Sequence, residues 1–365
     1  MSTLVNKVRP GALAAGVALA VVALWGTQVD LFLQGQLTLV MIYTIAIAGL
    51  NVLVGYTGLI SVGHSAFLGI GAYVTGVMVV HLELDPISTF PVAMLLGLAV
   101  GMIVGLPALR IKGLYLATVT LALGIAFPEI VGQFEDLTGG AAGLQVSRTL
   151  LLPPVWSGLA VNQKSLWLYL VCLVVLVAVT VLLHLLVSSR YGLAMRAVRD
   201  NELAAASAGI NVGLLKVSVF GLSGAVTSLG GSLFAMYIGS LSPTGSFSLH
   251  MAIVLITGLV VGGQGTRLGP LVGGFIVVYL PYYAGNLGAG QMSAVIFGAV
   301  LIAIVFAMPE GIVGGLARLA RHLRARREQP DDPGGSAPPG VPSAAPALQP
   351  AGPGDTALPQ PTPGK

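Results

Sequence analysis

The chain has 365 residues, of which 55% are hydrophobic and only 8% charged, with a formal net charge of +4. A water-soluble domain of this length needs far more polar side chains to cover its surface, so the composition excludes one and places the chain in a lipid bilayer. The solitary cysteine, Cys172, lies within an apolar run, which excludes an internal disulfide and leaves a packed core thiol as the simple reading.

A hydrocarbon layer about 30 Å thick calls for roughly 20 apolar residues per helix. In chain order, such windows fall at 11–29, 37–54, 58–80, 90–108, 113–128, 165–187, 216–239, 250–266, 268–284 and 291–308. The expected fold class is therefore all-α, a polytopic helical membrane protein with about ten spans and a range of eight to ten. The first window follows Lys7 and Arg9 and contains Ala18 and Ala20, so a cleaved signal peptide competes with a retained membrane helix. Retention is preferred because cleavage would remove a span and spoil the charge pattern described next.

Cytoplasmic loops of membrane proteins collect Lys and Arg. With the N-terminus inside, 14 of the 17 basic residues face the cytoplasm: Lys7, Arg9, Arg110, Lys112, Arg190, Arg196, Arg199, Lys216, Arg267, Arg318, Arg321, Arg324, Arg326 and Arg327. The opposite loops carry Asp30, Glu83, Asp85, Glu129, Glu135 and Asp136. Both termini are thus expected in the cytoplasm.

Within the spans, Gly97, Gly101 and Gly105 form a GxxxGxxxG stripe, a helix-packing surface that lets two backbones approach in lipid. The run from Gly55 through Tyr56, Gly58, Ser61 and Gly63 to His64 combines glycines, hydroxyls and an imidazole at membrane depth. A broken helix is expected there, and unwound backbone is tolerated only against protein or a water-filled path. His64 then has two readings, a neutral histidine joining helices or a residue of a translocation path, and Asn51 and Tyr73 share that ambiguity.

The segment Tyr191–Asn211, YGLAMRAVRDNELAAASAGIN, is a polar and small-residue island between two apolar runs. Arg196, Arg199, Asp200 and Glu202 crowd its first half, and Ala204, Ala205 and Gly209 lie in its second, which suits a short helix that docks a soluble partner. The final residues, 329–365, include eleven prolines in 37 positions and no apolar period, as in a disordered tail. Residues 317–328 form a basic cytoplasmic segment between the membrane domain and that tail.

No GxxxxGK[ST] phosphate loop, HExxH pair, paired Cys/His spacing or GxSxG elbow occurs, so the sequence carries no motif for ATP hydrolysis or for a metal or nucleophile enzyme. Val261–Gly265, VGGQG, superficially resembles the signature loop of an ABC ATPase but lacks the preceding Leu-Ser, and reads as a turn between spans.

Four blocks carry a more specific likeness: GLNVLVGYTGLISVGHSAFLGIGAY at 49–73, LRIKGLYLATVTLALG at 109–124, TGGAAGL at 138–144, and the island itself. A fifth, SFSLHMAIVLITGLVVGGQGTRLGPLVGG at 246–274, precedes MPEGIVGG at 308–315. Together they resemble the permease subunits of bacterial branched-chain amino-acid ABC transporters, of the larger of the two paired types, over about residues 35–316. Residues 1–34 form a preceding N-terminal membrane helix.

The resemblance implies an ABC importer permease fold in the bacterial inner membrane. It further implies alternating access to leucine, isoleucine and valine, a second permease subunit, two cytoplasmic ATPase subunits and an extracytoplasmic substrate-binding protein. It implies no cofactor on this chain, with ATP and Mg used by the partner ATPases. A coupling loop is implied at 190–212, where Leu203, Ala204, Ala205 and Gly209 follow an EAAxxxG-like pattern. Leu203 stands where the generic motif has Glu, and Glu202 lies one position earlier. Asn51, Tyr56, Ser61, His64 and Tyr73 are the candidate lining of the translocation path. The loop 129–164, with TGGAAGL, suits either a contact for the binding protein or a simple turn. The same architecture carrying urea, short amides or other amino acids is an alternative, and so is an ion-coupled secondary transporter, although no carboxylate or lysine occupies the middle of a span. An intramembrane enzyme would need convergent acids, metal ligands or a nucleophile pair, none of which the sequence offers.

Overall fold

The computed structural model describes residues 28–316 apart from 112, 147–151, 154–157, 159, 161–162, 288–291 and 309, together with Gly26 and Arg318. The expected first span at 11–29, the basic segment 317–328 and the Pro-rich tail 329–365 fall, but for those few residues, outside this range.

The described residues are almost wholly helical. They comprise α1 (Leu31–Leu50), α2 (His64–Leu82), α3 (Phe90–Gly105), α4 (Leu114–Gly132), α5 (Lys164–Ser188), α6 (Arg190–Asp200), α7 (Glu202–Ser207), α8 (Val212–Ile238), α9 (Leu249–Gly262), α10 (Gly269–Leu287) and α11 (Met292–Ala307). Seven helical stretches among them are long and apolar enough to cross a membrane, and they are followed by the shorter apolar stretch Gly269–Gly285 of α10 and the 16-residue α11. The architecture is that of an all-α polytopic membrane protein. A two-residue antiparallel ladder, β1 (Leu144–Gln145) with β2 (Ser240–Leu241), pairs Leu144 with Leu241 across two loops.

Two differences from the sequence reading have local causes. The span expected at 37–54 begins at Leu31, because Gln34 is buried and its amide donates to the Gly26 carbonyl at 3.0 Å instead of marking a loop. The span expected at 58–80 is helical only from His64. Gly58 has φ of +73°, a left-handed value open to glycine at little cost, and it turns the chain out of the preceding helix.

Helices α1, α2 and α8 are the most enclosed, and α8 is the hub. Along α8, Ser223 donates to the Gly49 carbonyl at 2.6 Å and Ser228 to the Phe67 carbonyl at 2.9 Å. Hydroxyls that reach carbonyls of neighbouring helices hold spans together where hydrophobicity alone gives no association, at about 0.6 kcal/mol per bond. The glycine stripe of α3 meets α8. A Cβ at Gly101 would lie 2.5 Å from the Phe220 carbonyl oxygen and 2.9 Å from Gly221 Cα, and one at Gly105 would lie 3.1 Å from Val217 Cα. One at Gly97 would lie 2.7 Å from the Gly224 carbonyl.

The helices alternate in direction, so the loops gather at two ends. At one, His81 bonds the Leu137 carbonyl and Tyr73 donates to the Leu241 carbonyl. Asp30, Glu83, Asp85, Glu129, Glu135 and Asp136 belong to loops or helix ends on that side. At the other end, Arg267 bonds Ser188, Lys216 reaches the Ala108 carbonyl, and Arg199 reaches the Gly55 carbonyl. The acidic and basic loops are thus on opposite ends, as the positive-inside pattern requires.

Candidate functional site

The island forms two short helices beneath the basic end of α1. Each helix start has a side-chain cap: Ser189 accepts from Tyr191 N–H, Asn201 from Leu203 and Ala204 N–H at 3.0 and 3.1 Å, and Asn211 from Leu214 N–H at 3.0 Å. These caps were a readable sequence signal, since Ser and Asn precede each helical run. The stop of α7 is equally local. Gly209 N–H bonds the Ala206 carbonyl and Ile210 N–H the Ala205 carbonyl, with Gly209 at φ +85°, the pattern of a glycine-terminated helix.

The two helices are amphipathic in opposite service. Gly192, Met195 and Val198 recur every three residues on the buried face of α6. Gly192 lies against Val187 at the end of α5, while Met195, Val198 and Ala205 join one buried cluster with Val52, Leu53, Tyr56 and Leu59 and with Leu215, Val219 and Phe220 of α8. Leu193, Leu203 and Leu214 are instead exposed, Leu203 by 77%, beside Ala204, Ala206 and Ala208. That surface is apolar and small, and none of the described residues covers it.

The charged residues divide between these faces. Arg196 donates to the Val187 carbonyl at 3.3 Å, capping the end of α5. Asp200 is exposed. Glu202 turns inward to Lys216, whose ammonium lies 2.6 Å from the carboxylate and is only 2% exposed. Arg199 is exposed along much of its length, yet its guanidinium donates to the Gly55 carbonyl. Ala205 is buried, while Gly209 faces open space among the described residues, so Leu203, Ala204, Ala206, Ala208 and Gly209 are the surface on offer and Ala205 is not. Tyr191 donates to Ser218 on α8 at 2.6 Å, and burial raises its hydroxyl above the ordinary phenol range.

Above this seat α1 ends in an unusual way. Asn51–Gly55 forms a π turn, with Tyr56 N–H bonding the Asn51 carbonyl. Such wide turns cluster at functional places. Asn51 does not face an open path with its amide. It accepts from Gly265 N–H at 2.8 Å and donates to the Thr266 carbonyl at 2.9 Å, fastening the π turn to the loop between α9 and α10.

The extended residues 58–63 follow. Val62 N–H bonds Thr120 Oγ1 on α4 at 3.0 Å, Ile60 is exposed, and Ser61 and His64 are buried. The imidazole bridges Ser61 Oγ at 3.0 Å and Ser223 Oγ at 2.7 Å. Because Ser223 gives its own proton to the Gly49 carbonyl, it accepts from His64 Nε2–H, and Nδ1 accepts from Ser61. Both ring nitrogens are satisfied in a neutral ring, the helix-joining arrangement.

Of the candidate path residues, Asn51 and Tyr56 border a cavity of about 440 Å³ between α1, α5 and the start of α10, with Thr44, His184 and Arg267. Ser61 and His64 are enclosed against α4 and α8, and Tyr73 packs near the opposite end against Phe127 and Phe247. The structure therefore separates the five residues into three places. The TGGAAGL segment is a compact turn in which Thr138 bonds the Val131 and Phe134 carbonyls, ahead of β1.

The sequence reading missed Lys216 as a buried ion-pair partner. A lone lysine five residues into an apolar helix, with a glutamate on the preceding short helix, was the available signal. Ser223 was also missed, and its place among Ser, Thr and Gly on α8 gave little to single it out.

Comparison with known proteins places these elements in context. Residues 32–305 match the family described as branched-chain amino acid transport system, permease component. The chain is similar to the high-affinity branched-chain amino acid transport system permease protein LivM of Escherichia coli, 28% identical over 81% of this chain and 74% of that protein. It is 24% identical to LivH of the same organism, over 76% of this chain and 92% of LivH. The ribose import permease protein RbsC of Haemophilus influenzae is 27% identical over 66% of this chain and 70% of its own length. No solved structure matches the chain.

Proposed function

Because the chain belongs to the branched-chain amino acid transport permease family, we propose that it carries leucine, isoleucine and valine across the inner membrane by alternating access. As a member of that family it is a transmembrane permease component of a multi-subunit ABC importer, not a catalyst. The likeness to LivM and LivH supports the cargo, and the somewhat higher identity to LivM supports its being the larger of two paired permeases. On this reading it assembles with a second permease, two cytoplasmic ATPases and a substrate-binding protein. The basic end faces the cytoplasm together with both termini, which is what its Arg-rich loops favour.

The observation that carries the mechanism is the exposed patch of Leu203, Ala204, Ala206 and Ala208 on a helix whose inner residue Ala205 is buried and whose Glu202 is paired with Lys216 of α8. A partner bound there acts on the start of α8 through the Glu202–Lys216 pair. ATP consumed by the bound subunits supplies the energy, and the inward face of α6 and α7 delivers it. Arg199 and Asp200 border the patch and steer the partner electrostatically.

Uptake of labelled leucine, isoleucine and valine in cells lacking only this chain tests the cargo. We expect all three to fall and to return with the gene. Unchanged uptake of the three with loss of ribose, urea or amide uptake would overturn the substrate and leave the permease architecture in place.

A further inference from the structure

We infer that Arg199 is the positioning residue that transmits movement of α6 and α7 to the break at residues 58–63. This rests on the reading that the ATPases dock on that helix pair. Three contacts converge on Arg199. Its guanidinium donates to the carbonyl of Gly55, the last residue of the π turn. Gly58 lies directly over it, and a Cβ there would sit 3.1 Å from Arg199 Cγ and 3.7 Å from its Cα and Cβ. Gly265 is the third neighbour, where a Cβ would lie 2.8 Å from Arg199 Nη1 and 2.9 Å from the Gly55 carbonyl oxygen. One guanidinium thus sits where the end of α1, the start of the break and the α9–α10 loop meet. Asn51 locks two of these elements together on the other side through Gly265 and Thr266.

The chemistry suits transmission. Leu59 N–H, which in a continued helix would reach the Gly55 carbonyl, turns back to Leu53 instead, and a charged donor takes up the Gly55 oxygen. Hydrogen bonds with an ionised donor are roughly twice as strong as neutral ones. Glycine at 55, 58 and 265 leaves no side chain between the guanidinium and the backbones, so a displacement of α6 is passed on without slack. Arg199 also keeps much of its surface exposed, so the same side chain can meet a partner while it holds Gly55. Arg196, three residues earlier, is tied to α5 instead and cannot do this.

The test uses the assembled transporter in lipid nanodiscs, with Cys172→Ser and Ile60→Cys so that an exposed side chain of the break is the chain's only thiol. Maleimide labelling of position 60 is compared between the nucleotide-free complex and the complex trapped with ATP and vanadate, and the change is expressed per mole of trapped nucleotide. With Arg199 present the labelling rate should change severalfold on trapping, and with Arg199→Met that change should fall at least fivefold.

Arg199→Lys, which restores one charged donor, should recover part of it. A second variant, Gly58→Cys with Arg199→Cys, replaces the contact by a covalent one, since 3.7 Å between the β carbons falls in the disulfide range of about 3.5–4.5 Å. In otherwise cysteine-free transporter, ATP-driven uptake should be higher oxidised than reduced.

An undiminished labelling change in Arg199→Met overturns the inference, as does a wild-type break that does not respond to trapping. Failure of Arg199→Met to assemble a nucleotide-trapping complex also overturns it, by making Arg199 a docking residue. Equal uptake by the oxidised and reduced cysteine pair counts against it in the same way. Labelling needs no cargo, so a wrong substrate would show as absent leucine uptake with the trapping response intact.

Discussion

The Glu202 carboxylate lies 2.6 Å from Nζ of Lys216, and this pair fastens the first turn of α7 to the first turns of α8. The ammonium also reaches the Ala108 carbonyl behind α3 at 3.4 Å. An ammonium that is 2% exposed needs its counter-charge, and removing one member of a buried pair costs about 3–5 kcal/mol. We therefore expect Glu202→Gln to lower the thermal midpoint of the purified permease markedly, and the double change Glu202→Leu with Lys216→Met to recover most of it. Thermal unfolding in detergent checks both, and a neutral Glu202→Gln would show the pair to be ornamental.

Leu203 is the most exposed large apolar residue of α6 and α7. Leu203→Asp should leave the permease fold within about 0.5 kcal/mol of its original stability, as exposed substitutions do. Its effect is expected on the partner. Co-purification of the ATPase subunits should drop at least tenfold while the permease melts as before.

Gly209 has open space around it but a φ of +85°. Gly209→Ala should cost about 1–2 kcal/mol through the left-handed backbone alone, with Gly209→Asn milder. Faster amide exchange in α7, with exchange in α8 unchanged, would report the loss. If the alanine variant kept full protection of α7, the helix stop would have to lie elsewhere.

His64 is hydrogen-bonded through both ring nitrogens inside this subunit. His64→Ala strands the Ser61 hydroxyl and should cost about 1–3 kcal/mol. The expected outcome is less folded protein with the KM for uptake unchanged. A large rise in KM at normal stability would instead put the imidazole in contact with cargo.

How far the sequence went depended on how local each feature was. The long apolar runs marked the spans, and the glycines at 55, 58 and 63 marked the break, because both are written in consecutive residues. The stripe of Gly97, Gly101 and Gly105 was readable as a packing face, though not the identity of its mate, since α8 lies more than a hundred residues away.

The candidate path residues illustrate the limit more sharply. Asn51, Ser61, His64 and Tyr73 look alike as polar groups in apolar surroundings, and only the fold separates an amide that staples two turns from a hydroxyl beside the opposite end. Ala205 was assigned with its neighbours, but a helix of six residues has too little periodicity to reveal which alanine faces inward.

The seam between α3 and α8 is made of backbone against backbone, with Gly97, Gly101 and Gly105 meeting Val217 to Gly224. Among these closest contacts only Met102, Phe220 and Ser228 contribute side-chain atoms, so few groups there can change rotamer to let one surface slide over another. Ser228 and Ser223 bind α8 equally to α2 and α1. A transporter must nevertheless open to two sides in turn, and a fused block of this kind cannot flex internally to do it. On the proposed function we expect it to serve as a fixed bearing, about which the break at 58–63, the α9–α10 loop and the outer spans move.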